Sequence, residues 1–348
     1  MRVSRALQFA AGIALAAVGL AIFFHNVDVH KLRGELLSCN PGIVAVCVAC
    51  TVLTILLRAL RWKIMLPDAQ QAHKRGLFPI VAVGFMLNNI LPARLGEAAR
   101  VVLLWKKNGY RPVQSIGSIV LERIFDTLAF MTCFFVPVFL LDTIKTERVM
   151  GASGASKNLT LEAFAVLFCA IVAMACGMLF LYSRFPRWSA RMAQAGLRLF
   201  PQSLRGKLRG IGIDVFSNLN WIFSLKKVAV VVAYTALMML CYGVMVALIT
   251  DRPGFTLLHG LFANSFAAMG AAIPLAPGFV GTLHAVLLQG LLFCGLPREK
   301  AIAVTLLYHA IPYCTVTLLG LFYFFRMHLT FKEITGKEIS GAGETIKK

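Results

Sequence analysis

Long apolar runs separated by basic turns set the pattern of this chain. Runs at 7–24, 41–60, 114–141, 160–182, 228–250 and 299–326 are continuous and close to or above the ~20 residues that cross a bilayer as helix. They predict six spanning helices. Two further apolar stretches, 77–91 with 93–108 and 256–273 with 276–295, are shorter and come as broken pairs. A 15-residue helix is only about 22 Å long, too short to span comfortably. The breaks fall at Asn88-Asn89 to Pro92, and at Pro274 with Pro277-Gly278; proline removes an N–H and clashes with the preceding turn. Each pair therefore reads as a re-entrant helical hairpin, and the fold class as an all-α polytopic membrane protein with six spanning helices plus two re-entrant hairpins. The runs do not alternate, which argues against a membrane barrel.

Composition agrees: 59% of residues are hydrophobic and 14% charged, far from a soluble domain. Charge then orients the chain. With both termini inside, 26 of the 35 Lys and Arg fall on inner segments and eight on outer ones, as the positive-inside rule requires. The N-terminal run, flanked by Arg2 and Arg5, resembles a signal peptide but is long for one and reads as a retained first helix. The stretches 25–40 and 142–159 are expected as outer loops. Residues 183–227 form a basic linker in which Leu197, Leu199, Phe200, Leu204 and Leu208 interleave with cations, as in a surface amphipathic helix. A single membrane domain is expected over 1–330, with a polar inner tail at 331–348. The net charge of +20 also fits nucleic acid, but no nucleic-acid module is present, and anionic headgroups at the inner face account for it. The cell (inner) membrane is the expected location. The nine cysteines lie mostly within apolar runs, and Cys47-x-x-Cys50 has no partner motif. Packing, not a disulfide framework or zinc, is their expected role.

The two broken stretches resemble each other. ILPARLGEAARVVLLWKKNGYRP aligns with AIPLAPGFVGTLHAVLLQGLLFCGLP, matching Pro92 with Pro274, Gly96 with Gly278 and, after a short gap, Pro112 with Pro297. Each unit reads spanning helix, hairpin, spanning helix: repeat 1 over about 41–141 and repeat 2 over about 228–326. The single helix at 160–182 inverts the second unit. Inverted repeats with broken helices are a transporter design whose site lies between the repeats.

Ionisable residues gather in the first repeat. Arg94, Glu97 and Arg100 follow at spacings of three, and Glu122, Arg123 and Asp126 lie in the next apolar helix. Such groups are costly in a membrane and point to function by default. Ser115, Ser118, Glu122 and Asp126 form one polar helix stripe, and Thr305, His309, Tyr313 and Thr317 another. Hydrogen bonding between packed helices is the structural alternative for the Ser and Thr positions. Adjacent residues point about 100° apart on a helix, so Glu122 and Arg123 are not expected to pair with each other.

NNILPARLGEAARVVLL with IVLERIFD, and later IPLAPGFVGTLHAVLL, resemble the membrane region of lysylphosphatidylglycerol synthases and related stand-alone flippase-like proteins, over roughly 5–330. The resemblance implies movement of lipids between leaflets; relatives are linked to polyprenyl-glycan and hopanoid pathways. It carries over to Asn89, Pro92, Arg94, Gly96, Glu97, Arg100, Glu122, Arg123 and Asp126, then Pro274, Pro277, Gly278 and Gly281. His284 stands where the family pattern leads one to expect an acid. After a last helix ending near 326 the chain runs only to Lys348, so synthase activity is not implied.

The expected function is a lipid flippase or lipid-linked-substrate transporter for a phospholipid or polyprenyl-phosphate-type headgroup. Helix N-termini after Pro92 and Pro277 suit phosphate, Arg94 and Arg100 suit bidentate contact, and Gly96, Gly278 and Gly281 permit breaks or close approach. Glu97, Glu122 and Asp126 suit a cationic headgroup or protons. Asn88, Asn89, His284 and His309 complete the candidate binding set. No metal, cofactor or P-loop pattern is present. Expected partners are membrane lipids and, in the alternative reading, a separate lipid- or glycan-modifying enzyme for which the protein is a scaffold. A headgroup-modifying enzyme using His284 and His309 is the less favoured third reading.

Overall fold

The structure, a computed structural model, describes residues 29–67, 76–91, 94–141, 221, 224–272 and 277–330. The expected helices at 7–24 and 160–182, most of the linker 183–227, the tail, Pro92 and Pro274 lie outside these residues. The described residues are helical, with helices numbered here in chain order: α1 (Val29–Leu37), α2 (Pro41–Met65), α3 (Leu77–Ile90), α4 (Leu95–Asn108), α5 (Pro112–Leu140), α6 (Leu225–Thr250), α7 (Leu257–Ala272), α8 (Thr282–Phe293) and α9 (Arg298–Arg326). Among them α2, α5, α6 and α9 are long and apolar enough to cross a membrane. The expected outer loop at 25–40 instead carries α1, tied to α9 by a Glu35–Lys300 ion pair of 2.9 Å.

Local chemistry sets the ends. Asn40 accepts the Gly42 N–H at 2.8 Å, and Pro41 opens α2, where its missing N–H removes one orphan donor. Pro112 opens α5, and the Gln114 side chain accepts the Arg111 N–H. Gly109 closes α4 in the left-handed region, φ 76°, which glycine enters without a Cβ clash.

The two units exchange partners. Within each, the short helices pack together, α3 on α4 and α7 on α8; between them, α3 packs on α9 and α7 on α5, while α2 packs on α6. The closing helix of each unit thus supports the first short helix of the other. α9 serves two cores: Ala301, Val304, Tyr308 and Ile311 join that of α6–α8, and Val316 and Phe324 join that of α2–α4.

Glycine makes both hairpins tight. A Cβ on Gly96 would run into the Gly84 carbonyl and Asn88, and one on Gly270 would stand 2.7 Å from the Leu283 Cα. Gly96 was expected to help break the first hairpin and to allow close backbone approach. It lies in the first turn of α4 and not in the break, and its role is the close approach of α3 to α4. The second break does fall on glycine, with φ of 58° at Gly278 and 87° at Gly281 beside the 3₁₀ turn Pro277–Phe279.

Candidate functional site

Two groups of polar side chains lie inside these apolar helices, one in each unit. The larger is built on α2, α4 and α5. Glu122 and Asp126, one turn apart on α5, are almost wholly buried with Ser115 and Ser118 on the same stripe. Four guanidinium groups converge on them. Glu122 is reached by Arg100 at 2.8 Å, Arg123 at 2.9 Å, Arg58 at 3.3 Å and Arg61 at 3.6 Å. Asp126 is reached by Arg61 at 2.7 Å, Arg58 at 3.1 Å and Arg123 at 3.3 Å. The Arg61–Asp126 contact is an ion pair whose angle does not make a hydrogen bond.

Aromatic and hydroxyl groups fix the arginines. The Arg100 guanidinium lies 4.2 Å over the Trp62 ring and that of Arg58 5.0 Å over Phe85, placing each cation on the negative face of a ring. Trp62 Nε1 donates to Ser118 Oγ at 2.8 Å, Arg61 to Thr235 Oγ1 at 2.9 Å and Arg58 to the Tyr242 hydroxyl at 3.1 Å. The last two reach from the first unit to α6 of the second.

The cluster is graded in depth. Arg58, Arg61, Arg100, Glu122 and Asp126 form its buried floor, while the side chains of Arg94, Glu97 and Arg123 are 27, 26 and 33% exposed. Glu97 stands 3.9 Å from Arg94 and 3.8 Å from Arg123. Arg94 donates to the Ala271 carbonyl at 2.6 Å and lies 5.7 Å from the Phe279 ring centre, so it ties the first break to the second hairpin. Its backbone is left-handed, φ 53°, a conformation unfavourable for a side chain of this size.

Neighbouring contacts bring the two breaks together. Asn89 Nδ2 donates to Thr317 Oγ1 at 3.1 Å and to the Tyr313 carbonyl at 3.3 Å. A Cβ on Gly278 would stand 3.0 Å from the Asn89 carbonyl. Asn88 points elsewhere: it is buried against Gly96, and its Oδ1 has no hydrogen-bond partner.

In the second unit, His284 Nε2 and His309 Nδ1 are 3.1 Å apart. The Gly281 N–H donates to His284 Nδ1 at 3.1 Å, so a neutral His284 carries its proton on Nε2 and offers it to His309. This same bond occupies an N–H at the start of α8 that was expected to be free for phosphate. Tyr308, next to His309, donates to Asn264 Oδ1 at 2.6 Å.

The structure therefore joins Arg94, Glu97, Arg100, Glu122, Arg123 and Asp126 in one constellation. It places Asn89 with Gly278 at the meeting of the breaks, and His284 with His309 in a separate pair. Two expectations change. Glu122 and Arg123 do pair, because the long arginine side chain folds back over its neighbour. Arg58 and Arg61, expected on a basic inner flank, are buried ligands of the carboxylates; α2 runs five residues beyond its expected end at 60 and carries both inward. Their spacing of three, with Trp62 beside them, was the available signal. Among the described residues no group of three or more His, Cys, Asp or Glu is placed to hold a metal ion.

The family model described as the lysylphosphatidylglycerol synthase TM region matches residues 9–320, and the chain belongs to that family. It is a polytopic membrane protein with several apolar helices. It is 22% identical over 327 residues to a UPF0104 membrane protein of Methanothermobacter thermautotrophicus, covering 88% of this chain and 92% of that one. It is 23% identical over 328 residues to a UPF0104 membrane protein of Methanocaldococcus jannaschii, covering 90% and 92%. A third similarity, 25% over 168 residues, is to the glycosyltransferase AglD of Haloferax volcanii, covering 46% of this chain and 27% of that protein.

Proposed function

We propose that this protein is a lipid flippase or lipid-linked-substrate transporter that moves a phosphate-bearing headgroup between leaflets of the cell (inner) membrane and performs no covalent chemistry. The observation that carries this reading is the ion cluster of α2, α4 and α5. Its buried floor is capped by the partly exposed Arg94, Glu97 and Arg123 beside the meeting of the two broken helix pairs. A headgroup crossing ~30 Å of hydrocarbon needs polar company along its path, and irregular backbone at that depth is tolerated where protein or a water cavity covers it. In this reading α3–α4 and α7–α8 are re-entrant hairpins of opposite orientation in a single domain over 1–330. Six helices span the membrane and both termini are cytoplasmic. The exchange of partners between the units supports that arrangement.

The similarity to AglD favours a second reading. About half of this chain is similar to a part of a protein named as a glycosyltransferase, and in this reading the protein serves a separate lipid- or glycan-modifying enzyme as a non-catalytic scaffold.

Reconstitution separates the two. Proteoliposomes carrying headgroup-labelled phosphatidylglycerol, its lysyl form and a polyprenyl phosphate are assayed for transbilayer movement, with and without a proton gradient. Transport predicts movement of at least one lipid, slowed about tenfold or more by Arg94→Ala and by Arg123→Ala, a loss equivalent to one strong charged contact. Both side chains are partly exposed, and the unfolding midpoint of each variant, expected close to that of the parent, separates loss of transport from loss of folding. Well-folded protein that moves none of them leaves the scaffold as the better reading.

A further inference from the structure

The charges of the cluster do not balance. Arg58, Arg61, Arg100 and Arg123 bring four positive charges to the two carboxylates of Glu122 and Asp126. Arg94 and Glu97 at the opening cancel each other, so among the described residues two positive charges remain without a counter-charge. Burying an unpaired charge is expensive, and buried ions are normally paired. The unused donors lie on the same groups. Arg61 Nε and Arg100 Nε in the floor, and Arg94 Nε and Arg123 Nε at the opening, have no hydrogen-bond partner. The two buried carboxylates, by contrast, each face three or four arginines, and the one oxygen without a hydrogen bond, Asp126 Oδ1, lies 2.7 Å from Arg61.

From this we infer that the site takes a doubly charged phosphate monoester and discriminates against singly charged phosphodiesters and cationic headgroups. The inference rests on the transport reading for its place at the mouth between the repeats, and deepens it by naming the headgroup class. A phosphate monoester carries close to two negative charges at pH 7 and three strong acceptor oxygens. It matches both the excess charge and the array of idle N–H donors, and guanidinium is the side chain best shaped to hold it. A phosphodiester supplies one charge and leaves one arginine uncompensated. A lysyl-bearing headgroup, net positive, meets a net-positive site.

The test is a binding measurement on the full-length, detergent-solubilised protein, with two lipids that differ in one charge. Phosphatidic acid is compared with phosphatidylmethanol of the same acyl chains, beside a polyprenyl phosphate, lysylphosphatidylglycerol and inorganic phosphate. Phosphatidic acid is expected to bind about tenfold or more tighter than its methyl ester, a modest yield for one extra ion pair in a site of intermediate dielectric. Arg123→Gln, at a partly exposed position, is expected to erase most of that preference. Glu97→Gln is expected to strengthen binding of the monoester. Inorganic phosphate binding as tightly as the lipid monoesters supports the charge assignment and identifies a soluble ligand. Monoester binding without transbilayer movement supports it too, while removing transport. Equal affinity for phosphatidic acid and phosphatidylmethanol, or tightest binding of the lysyl lipid, overturns it.

Discussion

Glu122 holds the cluster together. Its carboxylate faces four arginines, whereas no arginine faces more than two buried carboxylates. In a cluster with surplus positive charge, losing an anion and losing a cation are not equivalent. Glu122→Gln adds an uncompensated charge to a buried site and is expected to cost about 3–5 kcal/mol of stability. Arg123→Gln removes part of the surplus from a third-exposed position, where water already screens the charge, and is expected to cost less than about 1 kcal/mol. Denaturant unfolding in micelles measures both. If Arg123→Gln proves as damaging as Glu122→Gln, the surplus is fictitious and an unseen anion balances the site. Sequence spacing pointed to six of the eight ionisable residues of this cluster and missed Arg58 and Arg61. The Ser115–Ser118–Glu122–Asp126 stripe is visible as a 3.6-residue period, but that period alone does not say which cations face it. Arg58 and Arg61 read as ordinary inner flank because the same residue type serves both purposes.

At the scale of elements the hydrophobic pattern was a good guide. The expected 77–91 and 93–108 became Leu77–Ile90 and Leu95–Asn108, and 256–273 became Leu257–Ala272. Apolar runs end where proline, glycine or charge interrupts them, and those interruptions are local. What stayed hidden was α1, a polar helix of nine residues whose partner is the distant α9. Isolated helices of that length are marginal, and tertiary contact decides them. Close approach was among the expectations for Gly96, but its partner was hidden, since sequence shows a glycine and not the Gly84 carbonyl across from it. Gly96→Ala and Gly270→Ala each push a methyl group into backbone and are expected to destabilise by about 1–3 kcal/mol. Gly34→Ala, within α1 and with nothing near its missing Cβ, is expected to stabilise by about 0.5–1 kcal/mol. Thermal unfolding of the three variants separates packing from helix propensity: equal effects of either sign would mean that close approach of the hairpin arms is not what these glycines provide.

At the scale of the whole molecule, the exchange of partners bears on how the chain lies in the bilayer. Helices α3 and α4 have 14 residues each, about 21 Å at 1.5 Å per residue, well short of ~30 Å of hydrocarbon. If each pair enters and leaves on one side, the two ends of a hairpin share a compartment, and the second hairpin opens opposite to the first. Gly76 and Lys107 flank the first hairpin, and Asp251 and Pro297 the second, all at exposed positions. Single cysteines at these four sites, in a background without the native cysteines, can be labelled in intact cells with a membrane-impermeant maleimide before and after permeabilisation. Re-entrant, inverted hairpins predict that Asp251→Cys and Pro297→Cys react from outside, while Gly76→Cys and Lys107→Cys react only after permeabilisation. If every short helix spans, the ends of each pair still share a side but its break crosses to the opposite one, so Leu95→Cys and Ala272→Cys, exposed beside the two breaks, settle it: Leu95→Cys would then react from outside and Ala272→Cys only after permeabilisation. That result would also move the ion cluster, because Arg94, Glu97 and Arg123 would then line a gap between ordinary spans and not the mouth between two opposed repeats.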